Sequence, residues 1–338
     1  MLDIVQLTAD KLEDLIDKYP EVALPVEQSS HWVTFDREFP YRHPIGFFAY
    51  QKNGKPVAVA SLVYYSNKMR PSIVIQRGPV WLVKVTKELE SELLDTLIKQ
   101  GKKLDKPVLY VRLHLRFEHK KALNTFEPAF YNRAVVVHID RDEKALLKSF
   151  SSSARNLTRK ARRIGVTVEQ IPSDKASKYF SEYLMPIMKE TTARNGFRNF
   201  DEYVYKNMLE NMSDITRLFV ANYEGKPVAW LISTEYRGEA IYYFAAGNQV
   251  GRKINANFLM QYECMIDAAS RGNKTWNMTG VESPEFPELK NVTVFKRHFN
   301  KEDTIIPTMY DVPLNKVKYK AITTAINARR KKFYSEAH

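Results

Sequence analysis

The residues of this chain best suited to chemistry are basic and aromatic. The densest set is Ser151-Ser152-Ser153-Ala154-Arg155-Asn156-Leu157-Thr158-Arg159-Lys160-Ala161-Arg162-Arg163-Ile164-Gly165. On a helix, Arg155, Arg159, Arg162 and Arg163 fall at i, i+4, i+7 and i+8, on one face, while Leu157, Ala161 and Ile164 line another. No Asp or Glu lies within 151–165, so these guanidiniums repel one another unless an anion or a remote carboxylate meets them. Guanidinium forks pair bidentately with phosphate, so a nucleic-acid backbone or an anionic headgroup fits this face; so do acidic residues from elsewhere in the fold. A second basic run, Arg329-Arg330-Lys331-Lys332, lies near the C-terminus, where such runs commonly serve only solubility. The third feature is Trp276-Asn277-Met278-Thr279-Gly280-Val281-Glu282-Ser283, followed by a Pro/Glu-rich loop and Val294-Phe295-Lys296-Arg297-His298-Phe299. A strand running into glycine and a loop places side chains at a sheet end, where sites form. Read without context, Lys296 between aromatics is a surface lysine lying along apolar neighbours.

Other chemistries are excluded by what is missing. There is no GxxxxGK[ST], HExxH or GxSxG, and the 7 histidines have no ligand spacing. The single cysteine, Cys264, sits among apolar neighbours and reads as a buried, inert thiol. No metal and no cofactor are expected. The net charge of +13 is weak evidence beside the clustering. The first residues lack a signal-peptide pattern and no apolar run is long enough to span a bilayer, so the chain reads as cytoplasmic.

The elements that must position these residues come in two similar sets. Gly-Lys-Pro-Val-Ala occurs at 54–58 and again at 225–229, half a chain apart. Each copy follows an apolar strand and a polar-Gly tip (Asn53-Gly54, Glu224-Gly225) and precedes a second apolar strand, which is a β-hairpin. The repeat suggests one domain built twice. In the first half the pattern predicts a helix at 9–18, the hairpin at 46–65, a strand at 73–80, a helix at 86–104, a strand at 107–113, a helix at 119–131 and a strand at 134–139. In the second it predicts a helix over 143–163, a strand at 166–170, a helix at 176–195 kinked at Pro186 and a helix at 201–211. Strands at 217–222, 228–236 and 240–246, a helix at 255–271 and a short strand at 275–278 follow. A basic helix at 314–333 ends the chain. The order is α+β with a mixed sheet in each half.

In this order the motifs resemble the FemABX family of bacterial non-ribosomal peptidyltransferases. The 155–166 stretch resembles that family's xNxxRKAxxxGV helix, and Met188-Lys189-Glu190-Thr191-Thr192-Ala193-Arg194-Asn195-Gly196-Phe197 its helix end before an R-x-G turn. Tyr242-Tyr243-Phe244-Ala245-Ala246-Gly247-Asn248 resembles its YxxAGS strand, and 276–282 with Phe295-Lys296-Arg297-His298-Phe299 its YDLGGIE…FKxxF signature. Gln28-Ser29-Ser30-His31-Trp32 and Arg77-Gly78-Pro79-Val80 match more weakly. The resemblance covers nearly the whole chain. It implies two tandem GNAT-like domains without a coiled-coil arm, the first at 1–139 plus 313–338 on the acceptor side and the second at 140–312 on the aminoacyl-tRNA side. It implies transfer of an amino acid from aminoacyl-tRNA to the amine of a peptidoglycan stem peptide, either UDP-MurNAc-pentapeptide or lipid II. A lipid-linked acceptor would bring the protein to the inner membrane surface as a peripheral partner. Aminolysis of an ester needs alignment, a neutral amine and oxyanion stabilisation, and neither a metal nor a covalent nucleophile.

By the same resemblance Lys296 contacts the tRNA 3′ end and stabilises the oxyanion, with Phe295 walling the pocket. Arg198, Tyr203 and Tyr243 lie where members bind the acceptor, together with Trp32, Arg37 and His114 in the first half. Binding of the tRNA backbone by Arg155, Arg159, Arg162 and Arg163 rests on electrostatics alone. The sequence departs from the family at Asp36, where some members carry a nucleotide-contacting lysine. It departs also at His114, where they carry an Asp proposed to handle a proton, and at Ala245, where they carry a second tyrosine. The donor side thus looks kept and the acceptor side changed. Two alternatives stay open: a CoA-dependent N-acyltransferase, and tRNA-dependent transfer to an acceptor outside the cell wall. Against the first, Gly247-Asn248-Gln249-Val250-Gly251-Arg252 does not fit a pyrophosphate-cradling turn.

Overall fold

The computed structural model describes residues 1–126, 130–139, 142–195 and 200–336, with side chains except at 193–195 and 329–336. The chain divides into two compact units, Met1–Phe130 with Pro307–His338, and Tyr131–Ile306. It begins in the first unit with β1 (Asp3–Leu7), α1 (Ala9–Ile16), α2 (Ser30–Arg37), β2 (Arg42–Lys52), β3 (Lys55–Tyr65), β4 (Ser72–Ile75), β5 (Val80–Trp81), α3 (Lys87–Lys102), β6 (Tyr110–Leu115) and β7 (Leu123–Asn124). The second unit opens with β8 (Arg133–His138), α4 (Glu143–Ser149), α5 (Ser152–Arg163), β9 (Thr167–Ile171) and α6 (Ser173–Tyr179). After a π turn (Phe180–Leu184) come α7 (Met185–Asn195), α8 (Glu202–Asn211), β10 (Thr216–Tyr223), β11 (Lys226–Tyr236), β12 (Glu239–Gly247), α9 (Gln249–Lys253), α10 (Ala256–Ser270), β13 (Thr275–Gly280), α11 (Lys290–Lys296) and β14 (Asp303–Ile305). The chain then returns to the first unit with β15 (Thr308–Pro313) and α12 (Lys316–Glu336).

Each unit holds one mixed sheet. The orders are β1-β2-β3-β4-β6-β15-β7, with β5 pairing β3, and β14-β8-β13-β12-β11-β10-β9. Each contains one parallel contact, β4 with β6 and β12 with β13. The sheets therefore share a plan, with one exchange. The strand beside β6 is β15, made after the second unit, and the strand beside β13 is β8, made after the first. Sequence order assigns 131–139 to the first domain, whereas β8 lies in the second sheet between β13 and β14.

The repeated hairpins match in detail. Asn53 (φ 52°) with Gly54 (φ 74°), and Glu224 (φ 51°) with Gly225 (φ 73°), make two-residue turns with positive φ at both positions, where glycine is the residue without strain. In both, the ladder slips after the turn: Gln51 faces Pro56 but Tyr50 faces Ala58, and Asn222 faces Pro227 but Ala221 faces Ala229. The skipped residues are Val57 and Val228. Their carbonyls turn outward and accept from Leu82 N at 2.9 Å and Asn248 N at 3.0 Å. The Pro-Val pair of the repeat thus makes a bulge that anchors the segment packed beside it.

Cores form where the apolar periods predict. In α3, Leu89, Leu93, Leu94 and Leu97 pack on Ile73, Ile75, Val111 and Leu113. In the second unit α10 packs Leu259, Met260, Cys264 and Met265 with Trp276, whose Nε1 donates to the buried Gln261 Oε1 at 2.9 Å. Several elements differ from expectation. Helix 143–163 is two helices, because Phe150 buries against Phe299 and Ser151 starts a new cap. The distortion expected at Pro186 is a π turn ending just before it. The described part of 119–131 holds a short strand and no helix, and 73–80 is two strands rather than one.

The gap between β4 and β5 has a cause. The β3–β4 ladder pairs Val63 with Val74 and, continued in register past Leu62 and Ile75, would bring Ser61 to Gln76. The side-chain amide of Gln28, 1% exposed, stands there instead: Oε1 accepts from Ser61 N at 2.7 Å and Nε2 donates to Gln76 O at 2.5 Å. A Cβ on Gly78 would lie 2.9 Å from that amide, so the adjoining turn needs glycine. At the chain end, Tyr319 of α12 is buried against Tyr110 and donates to Asp311 at 2.7 Å. Among the described residues no helix is long and apolar enough to cross a membrane.

Candidate active site

The second sheet opens into a fork. β12 and β13 pair over Glu239–Ile241 and Thr275–Asn277, and beyond Ile241 no strand among the described residues flanks β12 on that side. Into this region α11 sends Lys296, which is 6% exposed and not the surface residue its bare context suggests. Its Nζ donates to Gly280 O at 2.7 Å and Thr279 Oγ1 at 3.1 Å, and lies 5.9 Å from the Tyr242 ring centroid. Burial pushes the ammonium down to about 7, because desolvation disfavours its charge. Desolvation also raises the Tyr242 hydroxyl to about 12. Phe295, one residue before, packs edge-on against Phe258 and Phe299 and so fixes the helix.

The lysine's acceptors sit on strained backbone. Thr279 has φ 64°, an unfavourable conformation for a β-branched residue. It is held there from several sides. Its N–H donates to Asn277 Oδ1 at 2.9 Å, its hydroxyl to Met278 O at 2.6 Å, and Asn277 Nδ2 in turn to Glu239 Oε1 at 2.9 Å. Thr293 of α11 accepts from Glu282 N at 2.7 Å, tying the loop after β13 to the lysine's helix. Thr279 and Thr293 were not singled out by sequence. A Thr-Gly at a strand end hints at the turn, but nothing in sequence gives its φ.

The arginine face is smaller than the helix period implies. Arg155 Nη1 donates to Phe150 O at 2.5 Å and Lys148 O at 3.3 Å, closing the end of α4. Arg162 pairs with Glu263 of α10 at 2.6 Å and lies over the Tyr262 ring. Arg159 and Arg163 remain exposed on α5, beside exposed Lys160. The buried stripe is Ala154, Thr158 and Ala161, since Leu157 and Ile164 lie at its margin. This helix is tied to the lysine's helix: Ser151 N donates to His298 O at 2.9 Å, and Ser151 Oγ lies 2.8 Å from His298 Nδ1. The same Oγ caps α5 by accepting from Ala154 N, so the Ser–His pair is a clamp.

The acceptor-side candidates are dispersed. Arg198 lies outside the described residues. Tyr203 is exposed at the start of α8. Tyr243 is the residue that the β11–β12 ladder skips, between Tyr242 facing Ser233 and Phe244 facing Ile232. Ala245 packs on the second unit's core. In the first unit Arg37 is exposed, but Trp32 is 5% exposed and packs on Phe35. Asp36 is buried against Arg42 at 2.7 Å; burial raises its carboxyl and Arg42 opposes that shift. His114 is 6% exposed, and its Nδ1 hydrogen-bonds Pro307 O at 2.6 Å. Burial pushes this imidazole down to about 4, so it is neutral near pH 7. As they stand, Trp32, Asp36 and His114 offer a substrate little surface.

The helix after β12 bears on the CoA alternative. A pyrophosphate would need the open N–H groups at the start of α9. Here Gly251 N donates to Asn248 Oδ1 at 2.9 Å, and Gln249 N donates to the Glu190 carboxylate at 2.7 Å. A carboxylate already fills that position and would repel phosphate.

Comparison with known proteins follows the same lines. The model of the FemAB family matches residues 117–226 and 219–327. The crystal structure of FemX is similar over 95% of this chain and 100% of that one, at 16% identity and a TM-score of 0.74. L-PGS from Bacillus licheniformis is similar over 94% and 97%, at 14% identity and a TM-score of 0.51. A tandem GNAT protein from the clavulanic acid biosynthesis pathway is similar over 93% and 99%, at 10% identity and a TM-score of 0.50. No curated protein matches the sequence. The two sheets are therefore tandem GNAT-like domains, and among the described residues no long helical arm is inserted. The chain belongs to the FemAB family and is an aminoacyltransferase.

Proposed function

We propose that this protein transfers an amino acid from aminoacyl-tRNA to the free amine of a peptidoglycan stem peptide, carried by UDP-MurNAc or by lipid II. The observation that carries this reading is the Lys296 amine, desolvated in the fork and donating to Gly280 O and Thr279 Oγ1. Such a donor can turn from these acceptors to a developing oxyanion, or to the departing ribose oxygen, in a site that excludes water. A pKa of about 7 lets it give or take a proton at neutral pH. A polyanion bound beside it would favour its charged form.

Arg159 and Arg163, with Lys160, are the contacts proposed for the tRNA backbone, clamped to the lysine's helix through Ser151 and His298. Phe295 is the proposed wall of the pocket, and Tyr203, Tyr243 and Arg198 are proposed acceptor contacts of the second unit, as Arg37 is of the first. The first unit is the proposed acceptor side and the second the donor side. Work at the cytoplasmic face, peripherally at the membrane for a lipid-linked acceptor, belongs to the same proposal.

The test is to incubate the protein with a mixed aminoacyl-tRNA pool and candidate stem peptides, then weigh the products. A mass increase of one amino-acid residue on a stem peptide, abolished by Lys296→Met, is expected. Transfer only to small non-cell-wall amines would move the assignment to the tRNA-dependent alternative. Acetyl-CoA turnover would reject it outright.

A further inference from the structure

Threonine stands in the fork at a place that suits glycine. The β13–β8 ladder pairs Asn277 with Val136 and next Gly280 with Ala134, so two residues, Met278 and Thr279, stand against one, Val135. This is a bulge, and Thr279 is its left-handed residue at φ 64°, a position ordinarily taken by glycine. The neighbouring Gly280 is glycine for a different reason, since a Cβ there would lie 2.5 Å from Tyr131 Cγ. The strain at Thr279 goes with a contact that glycine could not make. Its hydroxyl has one proton, which goes to Met278 O at 2.6 Å, so toward Lys296 Nζ at 3.1 Å the oxygen can only accept. The amine's other acceptor, Gly280 O at 2.7 Å, is backbone. A charged amine has three N–H bonds, and a neutral one has two and a lone pair. Two of these directions end on Thr279 and Gly280, and no hydrogen-bond partner among the described residues takes the third. One acceptor would let the amine swing about that bond, whereas two fix where the third direction points. Thr279 is itself tied to the last rung of the fork. Asn277, paired with Ile241, accepts from Thr279 N at 2.9 Å and donates to Glu239 Oε1 at 2.9 Å.

We propose that Thr279 is a positioning residue for the transfer reaction: its hydroxyl, held by Met278 O, fixes the Lys296 amine so that the amine's third direction meets the reacting ester. The bulge carries threonine, and its strain, for that hydroxyl. This rests on the role given to Lys296 above and assigns a second residue to the same amine. Thr279 acts only through Lys296, which sets its effect apart from that of a residue that merely holds the fork together. A misdirected donor loses transition-state stabilisation and leaves substrate binding nearly as it was.

The test measures kcat and KM for transfer from the aminoacyl-tRNA pool to the stem peptides, with the full chain. The variants are Thr279→Ser, Thr279→Gly, Thr279→Val, Lys296→Met and the double variant Thr279→Val with Lys296→Met. Glycine takes a φ of this sign without strain, so Thr279→Gly removes the hydroxyl while sparing the fold. Thr279→Gly and Thr279→Val are expected to lower kcat about tenfold or more, with the KM for aminoacyl-tRNA changed less than about twofold. Thr279→Ser, which keeps a hydroxyl, is expected to stay within about threefold of the native kcat. In the Lys296→Met background Thr279→Val is expected to cost nothing further, because the two residues act as one unit. The proposal is overturned if Thr279→Gly keeps the native kcat, if serine does no better than glycine, or if Thr279→Val costs as much without the lysine as with it. Any of these beside low transfer by Lys296→Met removes Thr279 and keeps the lysine's role. Native transfer by Lys296→Met would reject that role and this proposal with it.

Discussion

A lysine amine that loses its charge near neutral pH carries two measurable consequences. Lys296→Met should lower aminoacyl transfer about 10²-fold or more with the fold intact, since one preorganised donor to an oxyanion is worth that much. Unchanged transfer would remove Lys296 from the chemistry. The second consequence is in stability. Its folded pKa of about 7 lies below the usual 10.5, so between those values the unfolded chain binds more protons and stability rises with pH. The gain in stability on Lys296→Met should thus be largest near pH 6 and shrink by a few kcal/mol toward pH 10, read by denaturant melts. His114 acts on the acid side. With a folded value of about 4 against 6.5, its contribution is lost as pH falls through that window. His114→Gln should lessen the acid-side loss by up to about 3 kcal/mol; an unaltered acid limb would argue against a buried neutral imidazole. The ordered motifs single out Lys296, but its burial was not legible in them. A lysine is seldom buried, and only the opening of β12 from β13 makes room for it. Trp32 matches a family motif and His114 replaces a family Asp, yet sequence does not reveal that both face inward.

Among the elements, α5 separates what period predicts from what packing permits. The period put four arginines on one face, but the partners of Arg155 and Arg162 come from the end of α4 and from Glu263, far away in sequence. Charge reversal at Arg159 and Arg163 should raise the KM for aminoacyl-tRNA and flatten its salt dependence. Arg162→Ala should leave the salt slope nearly unchanged and cost about 1 kcal/mol or less of stability, as its pair is largely exposed. Equal salt effects for both would restore the four-arginine face. Gln28 tells a similar story from the other side. It belongs to a weakly matching motif, and its amide does structural work between β3 and β4. Gln28→Leu strands Ser61 N–H and Gln76 C=O, and should cost about 2–4 kcal/mol in chemical denaturation. A loss below about 1 kcal/mol would mean that the ladder closes without it. The hairpins, by contrast, were legible to the turn residue, because turn chemistry is local.

The whole molecule was legible as two copies of one α+β plan, because the repeat and the alternation of strand and helix survive in sequence. The exchange of β8 and β15 was not, because linear order favours the nearer sheet and nothing local in either strand names its neighbours. The second unit is one continuous stretch, Tyr131–Ile306, while the first needs both ends of the chain. A fragment spanning 131–306 should therefore melt cooperatively, whereas 1–130 alone should not. A sharp transition in 1–130 would show that β15 and α12 are dispensable. The same feature sets a timetable during synthesis. β6 and β7 leave the ribosome with the place between them vacant, and β15 fills it only after the entire second unit has been translated. At roughly 5–20 residues per second, the wait is on the order of ten seconds. Through that interval β6 presents an unpaired edge to every other nascent chain, so the first half of this protein depends longest on whatever shields it in the cell.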